Sequence, residues 1–403
     1  MDHSGSLVLI MAAAVLAPLL AYGISRWLAV PLVIFEILLG ILLGPDVLGW
    51  VHTAEVVDVL SNLGLAMLIF LAGYELEFDR VRGDTLKRSV WAWLIALALG
   101  LGIGTLLAHG GGFEKGVYVG TALTSTALGA ILPVLRDAGD LGSRFGSVVM
   151  AMGALGEFGP IIAMALLLSG RAPGQSAALL AAFAVLTAVA VLWALRPKPP
   201  WFSNVIAKTL HSSGQFAVRL VVLLLVSMLA LAQVLGLDIL LGAFAAGLIT
   251  RLVLHGAAPE ASETVLSKVE AMGFGFLVPL FFVVTGVEFD LEALLSGGRE
   301  LLLLPLFLLL FLVVRGLPIW LLAPRDLGRR DRSALVLFGS TALPLVVAIT
   351  TLGVEDGKVD PGEAAALVGA GMLSVLVFPL VGLRLRDRVR AREGGRIGGD
   401  ESW

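Results

Sequence analysis

Long apolar runs follow one another along nearly the whole chain, and no other feature restricts its fold as strongly. A helix needs about 17–25 apolar residues to cross the hydrocarbon core of a bilayer, and thirteen such runs can be counted. The longest predicted loop is 196–215, so no separate soluble domain fits between the runs. The sequence therefore predicts an all-α polytopic membrane protein with about 13 transmembrane helices, at residues 7–25, 30–48, 58–76, 89–109, 115–135, 144–169, 176–195, 216–235, 237–254, 266–286, 299–322, 333–353 and 362–384.

Composition argues against several other chemistries. The chain is 58% apolar and 15% charged, whereas an average soluble domain has about 25% charged residues. It has no cysteine, its five histidines show no metal-ligand spacing, and the sequence contains neither a phosphate-binding loop nor a dinucleotide fingerprint. We therefore expect no cofactor, no resident metal and no enzymatic activity. A net charge of −3 gives no indication of a nucleic-acid partner.

The basic residues predict the orientation of the chain. With the N-terminus outside, 23 of the 28 lysines and arginines fall on the cytoplasmic side and only four outside, which is a strong positive-inside pattern. The N-terminus lacks the basic stretch of a cleavable signal, so the first run should be retained as a helix. These features predict a multi-pass protein of a bacterial-type inner membrane. The transmembrane domain would cover 1–386, and a basic cytoplasmic tail at 387–403 would contact anionic lipid.

Three short motifs occur twice, in the same order. EILLG, EFD and STAL in the first half recur as DILLG, EFD and STAL in the second half, each shifted by seven predicted helices. Because seven is odd, the second copy would cross the membrane in the opposite sense. The sequence therefore predicts an inverted-topology repeat at about 30–169 and 237–384, with a linker helix at about 176–195. Transporters built in this way place their sites near the midplane, between the repeats.

Glu157 is the only charged residue in the apolar stretch MGALGEFGPIIAMALLL, residues 152–168. An ionised carboxylate at bilayer depth costs at least about 2.5–3.5 kcal/mol, so such a residue normally faces a cavity or a partner. A carboxylate oxygen that holds a proton cannot hold a cation at the same time, which favours a site that exchanges one for the other. The alternative interpretation is a protonated side chain that hydrogen-bonds to a neighbouring helix.

The two STAL motifs lie in spans that combine hydroxyl groups, glycine and a proline. A proline inside a helix removes a hydrogen bond, and non-helical backbone at membrane depth is tolerated only where it is buried in protein or lines a cavity. Two broken helices at corresponding places therefore indicate a binding site, and their hydroxyl and carbonyl oxygens would suit a small cation. Alternatively, the hydroxyl groups only satisfy the backbone. The predicted ligands are Ser125, Thr126, Ser340 and Thr341, and the predicted helix-breaking residues are Pro133 and Pro344.

Two further charged residues lie within predicted spans. Arg315 cannot lose its proton in a protein, so it needs a fixed partner or water. It would either offset the dipoles of the broken helices or extend toward the cytoplasmic end of its span, near Arg325. Glu36 lies inside the second span and its role stays open, whereas its repeat counterpart Asp238 is placed to favour a helix N-terminus.

The order of the motifs resembles the monovalent cation:proton antiporter superfamily, and most of all its branch of bacterial sodium/proton antiporters and potassium efflux antiporters. The resemblance implies a thirteen-helix fold with a dimerisation domain and a mobile core, two crossed discontinuous helices, elevator-like transport and a homodimer. It covers nearly all of the chain. The motifs that carry it are PLVIFEILLGILLGPDVLG (31–49), GLAMLIFLAGYELEFDRVR (64–82), TALTSTALGAILPVL (121–135), LDILLGAFAAGLITR (237–251) and FLVPLFFVVTGVEFDL (276–291).

The family's functional residues carry over unevenly. In the family, the sixth span bears a polar residue followed by the acid that binds the ion, and here Gly156 and Glu157 occupy those positions. Glu157 therefore matches the binding acid but lacks the usual polar neighbour. Arg315 matches a basic residue that the family carries in its eleventh span.

Together these features predict a secondary antiporter that exchanges Na⁺ or K⁺ for protons, with Glu157 binding each in turn and no net charge moved. A sodium-coupled organic-anion symporter of the same general fold is the first alternative. A family member that has lost transport is the second, because Gly156 replaces a polar residue. An intramembrane enzyme or a channel would need a catalytic pair or a filter-like loop, and the sequence shows neither.

Overall fold

The computed structural model describes residues 3–24, 30–52, 55–75, 83–108, 112–168, 173–196, 200–210, 212, 214–257, 259–296 and 298–397. These residues form α-helices joined by short connections, and none of them lies in a β-strand. The first ten helices are α1 (His3–Ile24), α2 (Leu32–Leu43), α3 (Glu55–Glu75), α4 (Asp84–Leu107), α5 (Gly112–Ala122), α6 (Leu128–Asp137), α7 (Arg144–Leu167), α8 (Pro173–Leu195), α9 (Pro200–Thr209) and α10 (Phe216–Val234).

The second half of the chain continues the helical pattern. Two π-helical turns, Gly273–Leu277 and Phe311–Gly316, interrupt otherwise α-helical segments. The remaining helices are α11 (Ile239–Ala257), α12 (Pro259–Met272), α13 (Val278–Val287), α14 (Leu291–Ser296), α15 (Arg299–Leu310), α16 (Leu317–Leu322), α17 (Arg329–Gly339), α18 (Pro344–Glu355) and α19 (Pro361–Ile397).

Ten helical segments of the described chain are long and apolar enough to cross a membrane. Two more apolar helices, α2 and α11, are shorter, and the run predicted at 115–135 consists of the two short helices α5 and α6. The predicted all-helical membrane architecture is therefore confirmed, whereas the count of thirteen spans and the inverted repeat stay predictions. The most apolar window of α7 is 78% buried, whereas that of α8 is 11% buried, so α7 is an interior helix.

The contacts divide the chain into two compact units. The first contains residues 1–16, 36–76 and 161–288, and the second contains 17–35, 77–160 and 289–403, in each case for the described residues. Each unit therefore takes segments from both predicted repeats. The core of the second unit includes Ile131, Phe145, Met152, Ile319 and Phe338, all buried. Ile10, Leu43, Val57, Leu280 and Val284 form a core of the first unit.

Glycines bring α4 and α5 close together within the second unit. A Cβ atom at Gly104 would lie 2.2 Å from the carbonyl oxygen of Gly116, and one at Gly120 would lie 2.5 Å from that of Gly100. Side chains at these positions would push the helices apart, so the close contact requires glycine. It fixes α5, the helix that leads into the first STAL motif.

The structure adds helical detail to two segments discussed from the sequence. The predicted loop 196–215 contains the helix α9, because PWFSNVIAKT places the buried residues Phe202 and Ile206 one turn apart. The predicted tail 387–403 continues α19 as far as Ile397, and 398–403 lie outside the described residues. The first EFD motif, 77–79, also lies outside them.

Candidate functional site

The first STAL motif is a break between two short helices. α5 ends at Ala122 and α6 begins at Leu128, so the intervening backbone is not helical. Thr124 donates a hydrogen bond from Oγ1 to the carbonyl of Thr121 at 2.8 Å, and Ser125 donates one from Oγ to the carbonyl of Ala122 at 2.8 Å. These hydroxyl groups satisfy carbonyls that lose their helical partners where α5 ends.

The second STAL motif forms a break of the same kind. α17 ends at Gly339 and α18 begins at Pro344, which supplies the fixed φ of a first helical turn and needs no N–H there. Thr341 donates from Oγ1 to the carbonyl of Leu337 at 3.0 Å. Ser374 on α19 accepts from the amide of Ala342 at 2.9 Å and donates to its carbonyl at 3.0 Å. The non-helical backbone is thus hydrogen-bonded within the protein.

Two direct hydrogen bonds join the breaks to each other. The amide of Ala127 donates to the carbonyl of Thr341 at 2.7 Å. Thr126 Oγ1 donates to the carbonyl of Gly339 at 2.6 Å. The structure therefore brings together the two segments that the sequence marks by the same four residues.

The prediction that Pro133 breaks its helix is wrong. α6 runs from Leu128 to Asp137 and includes position 133, and the break lies upstream, at 123–127. A proline removes a single helical hydrogen bond, here the one to the carbonyl of Gly129, and α6 continues through it. The hydroxyl groups of Thr124 and Ser125 end the preceding helix instead. Pro344, in contrast, lies directly after the second break.

Arg315 is fully buried and binds the first break. Its Nε donates to Thr126 Oγ1 at 2.9 Å, and its Nη2 donates to the carbonyl of Met152 on α7. Its Nη1 is buried and has no hydrogen-bond partner among the described residues. The alternative that Arg315 extends toward Arg325 is therefore wrong, because the guanidinium is bonded to Thr126 in the first break and to Met152 on α7. Arg315 lies on the π-helical turn Phe311–Gly316, a distortion often found at functional sites.

Gly156 has no room for a side chain. A Cβ atom at this position would lie 2.2 Å from Arg315 Nη2 and 2.2 Å from Thr126 Oγ1. The space that a side chain at this position would take is therefore filled by the guanidinium of Arg315 and the hydroxyl of Thr126, which come from other parts of the chain. The residue before Glu157 in the sequence is not polar. Polar atoms of Arg315 and Thr126 nevertheless lie against that residue, Gly156.

Glu157 directly follows this contact on α7 and is 2% exposed. The carbonyls of Met152 and Gly156, on the turn that leads to it, accept hydrogen bonds from Arg315 and from the amide of Thr126, the latter at 2.9 Å. A buried carboxylate on a helix held in this way can bind a proton or a cation. The site also contains a fixed positive charge, which would offset the carboxylate's negative charge.

The predicted hydroxyl ligands differ in how many hydrogen bonds they already make. Ser125, Thr126 and Thr341 donate to backbone carbonyls, as the alternative interpretation expects, but their oxygens keep lone pairs. Ser340 is fully buried, and its Oγ has no hydrogen-bond partner in the described part of the chain. Of the four predicted ligands, Ser340 is therefore the one whose hydroxyl is most available to bind a ligand.

Glu36 differs from the other predicted residues in the compact unit to which it belongs. It lies on α2, is 3% exposed and belongs to the first compact unit, whereas every other predicted site residue belongs to the second. Ser374 was missed by sequence reasoning, because no local pattern connects it with Ala342, 32 residues earlier. The carbonyl of Met152 was missed for the same reason.

The transmembrane sodium/hydrogen exchanger family matches residues 11–383 of the chain. The chain belongs to this family. The resemblance seen in the sequence motifs is thereby confirmed, and the protein is a multi-pass membrane protein. The protein that contains this buried carboxylate and the two joined breaks therefore belongs to a family of secondary transporters.

Several relatives of the exchanger family show how far the similarity extends. YjbQ of Bacillus subtilis, whose assignment as a Na⁺/H⁺ antiporter is provisional, is 26% identical over 95% of this chain. The chain spans only 63% of the length of YjbQ. The Na⁺/H⁺ antiporter of Enterococcus hirae is 24% identical, over 94% of this chain and 97% of that protein. The Na⁺/H⁺-K⁺ antiporter GerN of Bacillus cereus is 25% identical, over 70% of this chain and 72% of its own.

A solved antiporter structure shares the fold of this chain. The sodium proton antiporter MjNhaP1 from Methanocaldococcus jannaschii superposes with a TM-score of 0.68, over 94% of this chain and 96% of that one, at 16% identity. The predicted antiporter fold is therefore confirmed at the level of architecture.

Proposed function

We propose that the protein is a secondary antiporter that exchanges a monovalent cation, Na⁺ or K⁺, for protons. The observation that carries this proposal is the buried carboxylate of Glu157, on a helix bonded to the point where two broken helices meet. The names of the relatives support the reaction class, since they are Na⁺/H⁺ and Na⁺/H⁺-K⁺ antiporters.

Competition for one carboxylate explains the exchange. When Glu157 holds a proton, its charge is neutralised and no cation is attracted. When the proton leaves, the negative charge in a medium of low dielectric constant favours a cation. Hydroxyl and carbonyl oxygens at the breaks, with Ser340 first among them, would complete the coordination of a small hard cation.

The permanent charge of Arg315 suits a cycle that moves no net charge. Arg315 keeps its charge while Glu157 exchanges one proton for one cation, so each loaded state of the site has the same total charge. Glu157, Arg315 and both breaks belong to one compact unit, which supports an elevator-type movement of the whole site. A homodimer in a bacterial inner membrane, with the N-terminus outside and the C-terminus cytoplasmic, completes the proposal.

Proton release from acid-loaded proteoliposomes tests the reaction. We expect Na⁺, K⁺ or Li⁺, added one at a time, to dissipate the pH gradient through the wild-type protein. Glu157→Gln should reduce the rate to that of empty vesicles, because the amide can neither hold a proton nor attract a cation. Glu355→Gln, an exposed acid on α18 of the same unit, is the matched control and should transport normally.

Two results would count against the antiporter. If no monovalent cation dissipates the gradient, the protein is a transport-inactive member or carries another substrate, and sodium-dependent uptake of organic anions is then the next measurement. If Glu157→Gln transports like the control, the carboxylate is not the exchange site.

The stoichiometry has its own test. Exchange of one proton for one cation predicts the same transport rate at membrane potentials of zero and about −100 mV, set with potassium and valinomycin while Na⁺ is the transported cation. A transfer of one net charge would change the driving energy by about 2.3 kcal/mol at that potential. A rate that follows the potential would therefore contradict the electroneutral cycle.

A further inference from the structure

Pro160 leaves one carbonyl of α7 without its helical partner. In an α-helix the amide of residue i donates to the carbonyl of residue i−4, and proline has no amide hydrogen. Pro160 lies inside α7, three residues after Glu157, so the carbonyl deprived of its bond is that of Gly156.

The freed carbonyl is used by the first break. The amide of Thr126 donates to the carbonyl of Gly156 at 2.9 Å. Thr126 lies in the non-helical stretch between α5 and α6, so its amide has no helical partner of its own. One unsatisfied donor and one unsatisfied acceptor, both buried, are thus paired between two elements.

Gly156 permits this contact because it has no side chain. A Cβ atom there would lie 2.7 Å from the Cβ atom of Thr126, well inside contact distance. Within Gly156-Glu157-Phe158-Gly159-Pro160, Gly156 therefore supplies both the bonded carbonyl and the space for the break, and Pro160 frees that carbonyl. Glu157 is the residue next to the bonded carbonyl.

We propose that Pro160 is a positioning residue for Glu157, acting through the Gly156 carbonyl that it releases to the Thr126 amide. This inference rests on the proposed exchange at Glu157. Coordination of a cation requires the carboxylate and the oxygens of the break to keep a fixed spacing, and the Thr126–Gly156 bond ties the two backbones one residue away from the carboxylate.

The variant Pro160→Ala tests the proposal, because the new amide competes with that of Thr126 for the Gly156 carbonyl. Pro305→Ala is the matched control. Pro305 lies inside α15 of the same unit and frees the carbonyl of Leu301, a residue 49% exposed. Among the described residues, no amide of another element donates to that carbonyl.

Two readouts separate positioning from general stability. The first is backbone hydrogen–deuterium exchange of a peptide covering 123–127. A net hydrogen bond contributes about 1 kcal/mol, so we expect this peptide to exchange about fivefold faster in Pro160→Ala and not in Pro305→Ala. The second is the KM for the transported cation, which should rise about fivefold in Pro160→Ala and stay within about twofold of wild type in Pro305→Ala.

Equal exchange of 123–127 in the two variants would overturn the proposal, and so would faster exchange without a change in KM. Failure of the proposed function looks different, since wild-type protein would then transport no cation at all. In that case the hydrogen-exchange comparison still decides whether Pro160 fixes α7 to the break.

Discussion

Thr126 connects three elements through one hydroxyl group and one amide. Its Oγ1 accepts from Arg315 Nε at 2.9 Å and donates to the carbonyl of Gly339 at 2.6 Å, while its amide binds the carbonyl of Gly156. All of these atoms belong to residues that are buried. A buried donor that loses its partner keeps the full cost of its desolvation, so this hydroxyl matters more than an exposed one would.

Thr126→Val should destabilise the protein by about 2 kcal/mol, because it leaves Arg315 Nε and the Gly339 carbonyl without their partner while keeping the side-chain shape. Thr126→Ser keeps the hydroxyl group and should lie within about 1 kcal/mol of wild type. Thermal unfolding in detergent measures the stability of the two variants, and proton release in proteoliposomes measures their transport.

Thr350→Val is the control for that substitution. Thr350 is 3% exposed, and among the described residues its Oγ1 donates only to carbonyls of its own helix α18, the nearer at 2.8 Å. Its loss removes an internal bond of one helix and should leave transport unchanged. Equal effects of the two valine substitutions would show that the contact between the two breaks gains nothing from the Thr126 hydroxyl.

At the scale of elements, an ion pair joins the start of α5 to the start of α19. Lys115 Nζ lies 2.8 Å from Asp360 Oδ2 and 2.5 Å from Glu363 Oε2. The Lys115 ammonium holds the pKa of the Asp360 carboxyl below its usual range, first through the hydrogen bond and then through its charge. Because α5 leads into the first break, this pair helps fix one end of the broken helix.

The lowered pKa of Asp360 predicts acid sensitivity. A carboxyl whose pKa is lower in the folded state contributes stability above its unfolded pKa, about 3.9, and loses that contribution as the pH falls through the folded value. The side chain of Asp360 is 78% exposed, so the contribution should be below about 1 kcal/mol. We expect Asp360→Asn to be slightly less stable than wild type at pH 6, with the difference disappearing near pH 3.

Thermal unfolding between pH 6 and pH 3 measures this difference, with Asp84→Asn as a control acid exposed at the start of α4. A pH dependence that is the same in Asp360→Asn and wild type would show that the pair contributes nothing. High salt should reduce the effect, because an exposed ion pair is screened.

The sequence indicates where each helix is broken but not how the two breaks contact each other. The position of each break follows from local chemistry, since hydroxyl groups beside a turn bind the carbonyls that the turn frees. Pro133 misled the prediction because a proline weakens a helix without always ending it. The tie between Ala127 and Thr341 joins residues more than two hundred positions apart, and no local pattern indicates it.

At the scale of the whole molecule, a buried ion cluster holds three distant segments of the second unit. Arg386 on α19 binds Asp140, in the connection between α6 and α7, at 3.0 Å and Asp331 on α17 at 2.6 Å. Its guanidinium also lies 4.4 Å from the ring centre of Phe145. Asp140 is only 2% exposed, and the Arg386 guanidinium stabilises its charge.

Arg386→Met should destabilise the protein by about 3 kcal/mol or more, because it removes the cation from a buried carboxylate. Arg144→Met is the comparison, since Arg144 and Asp326 form an ion pair at 3.1 Å in which both side chains are more than half exposed. That pair should contribute about 1 kcal/mol or less. Thermal unfolding of both variants at one pH and salt concentration measures the contrast, and similar melting temperatures would refute it.

Local sequence signals are enough to predict the class of the molecule and to single out its candidate site residues. Apolar run length fixes membrane helices, because a bilayer leaves the backbone few other ways to satisfy its hydrogen bonds. A charge in an apolar stretch identifies Glu157, and repeated hydroxyl-rich motifs identify the two breaks. Each of these signals is local, so it can be read without knowing what the segment contacts.

The contacts among these residues follow from the packing of the helices and not from any local pattern. Arg315 and Thr126, 189 positions apart, fill the space beside Gly156, so a glycine that looks like a missing polar residue is a requirement of packing. The carbonyl of Gly156 becomes the partner of the Thr126 amide because packing brings α7 to the break. Such contacts depend on which helix faces lie together, and a sequence specifies that through the whole fold at once rather than through any one segment.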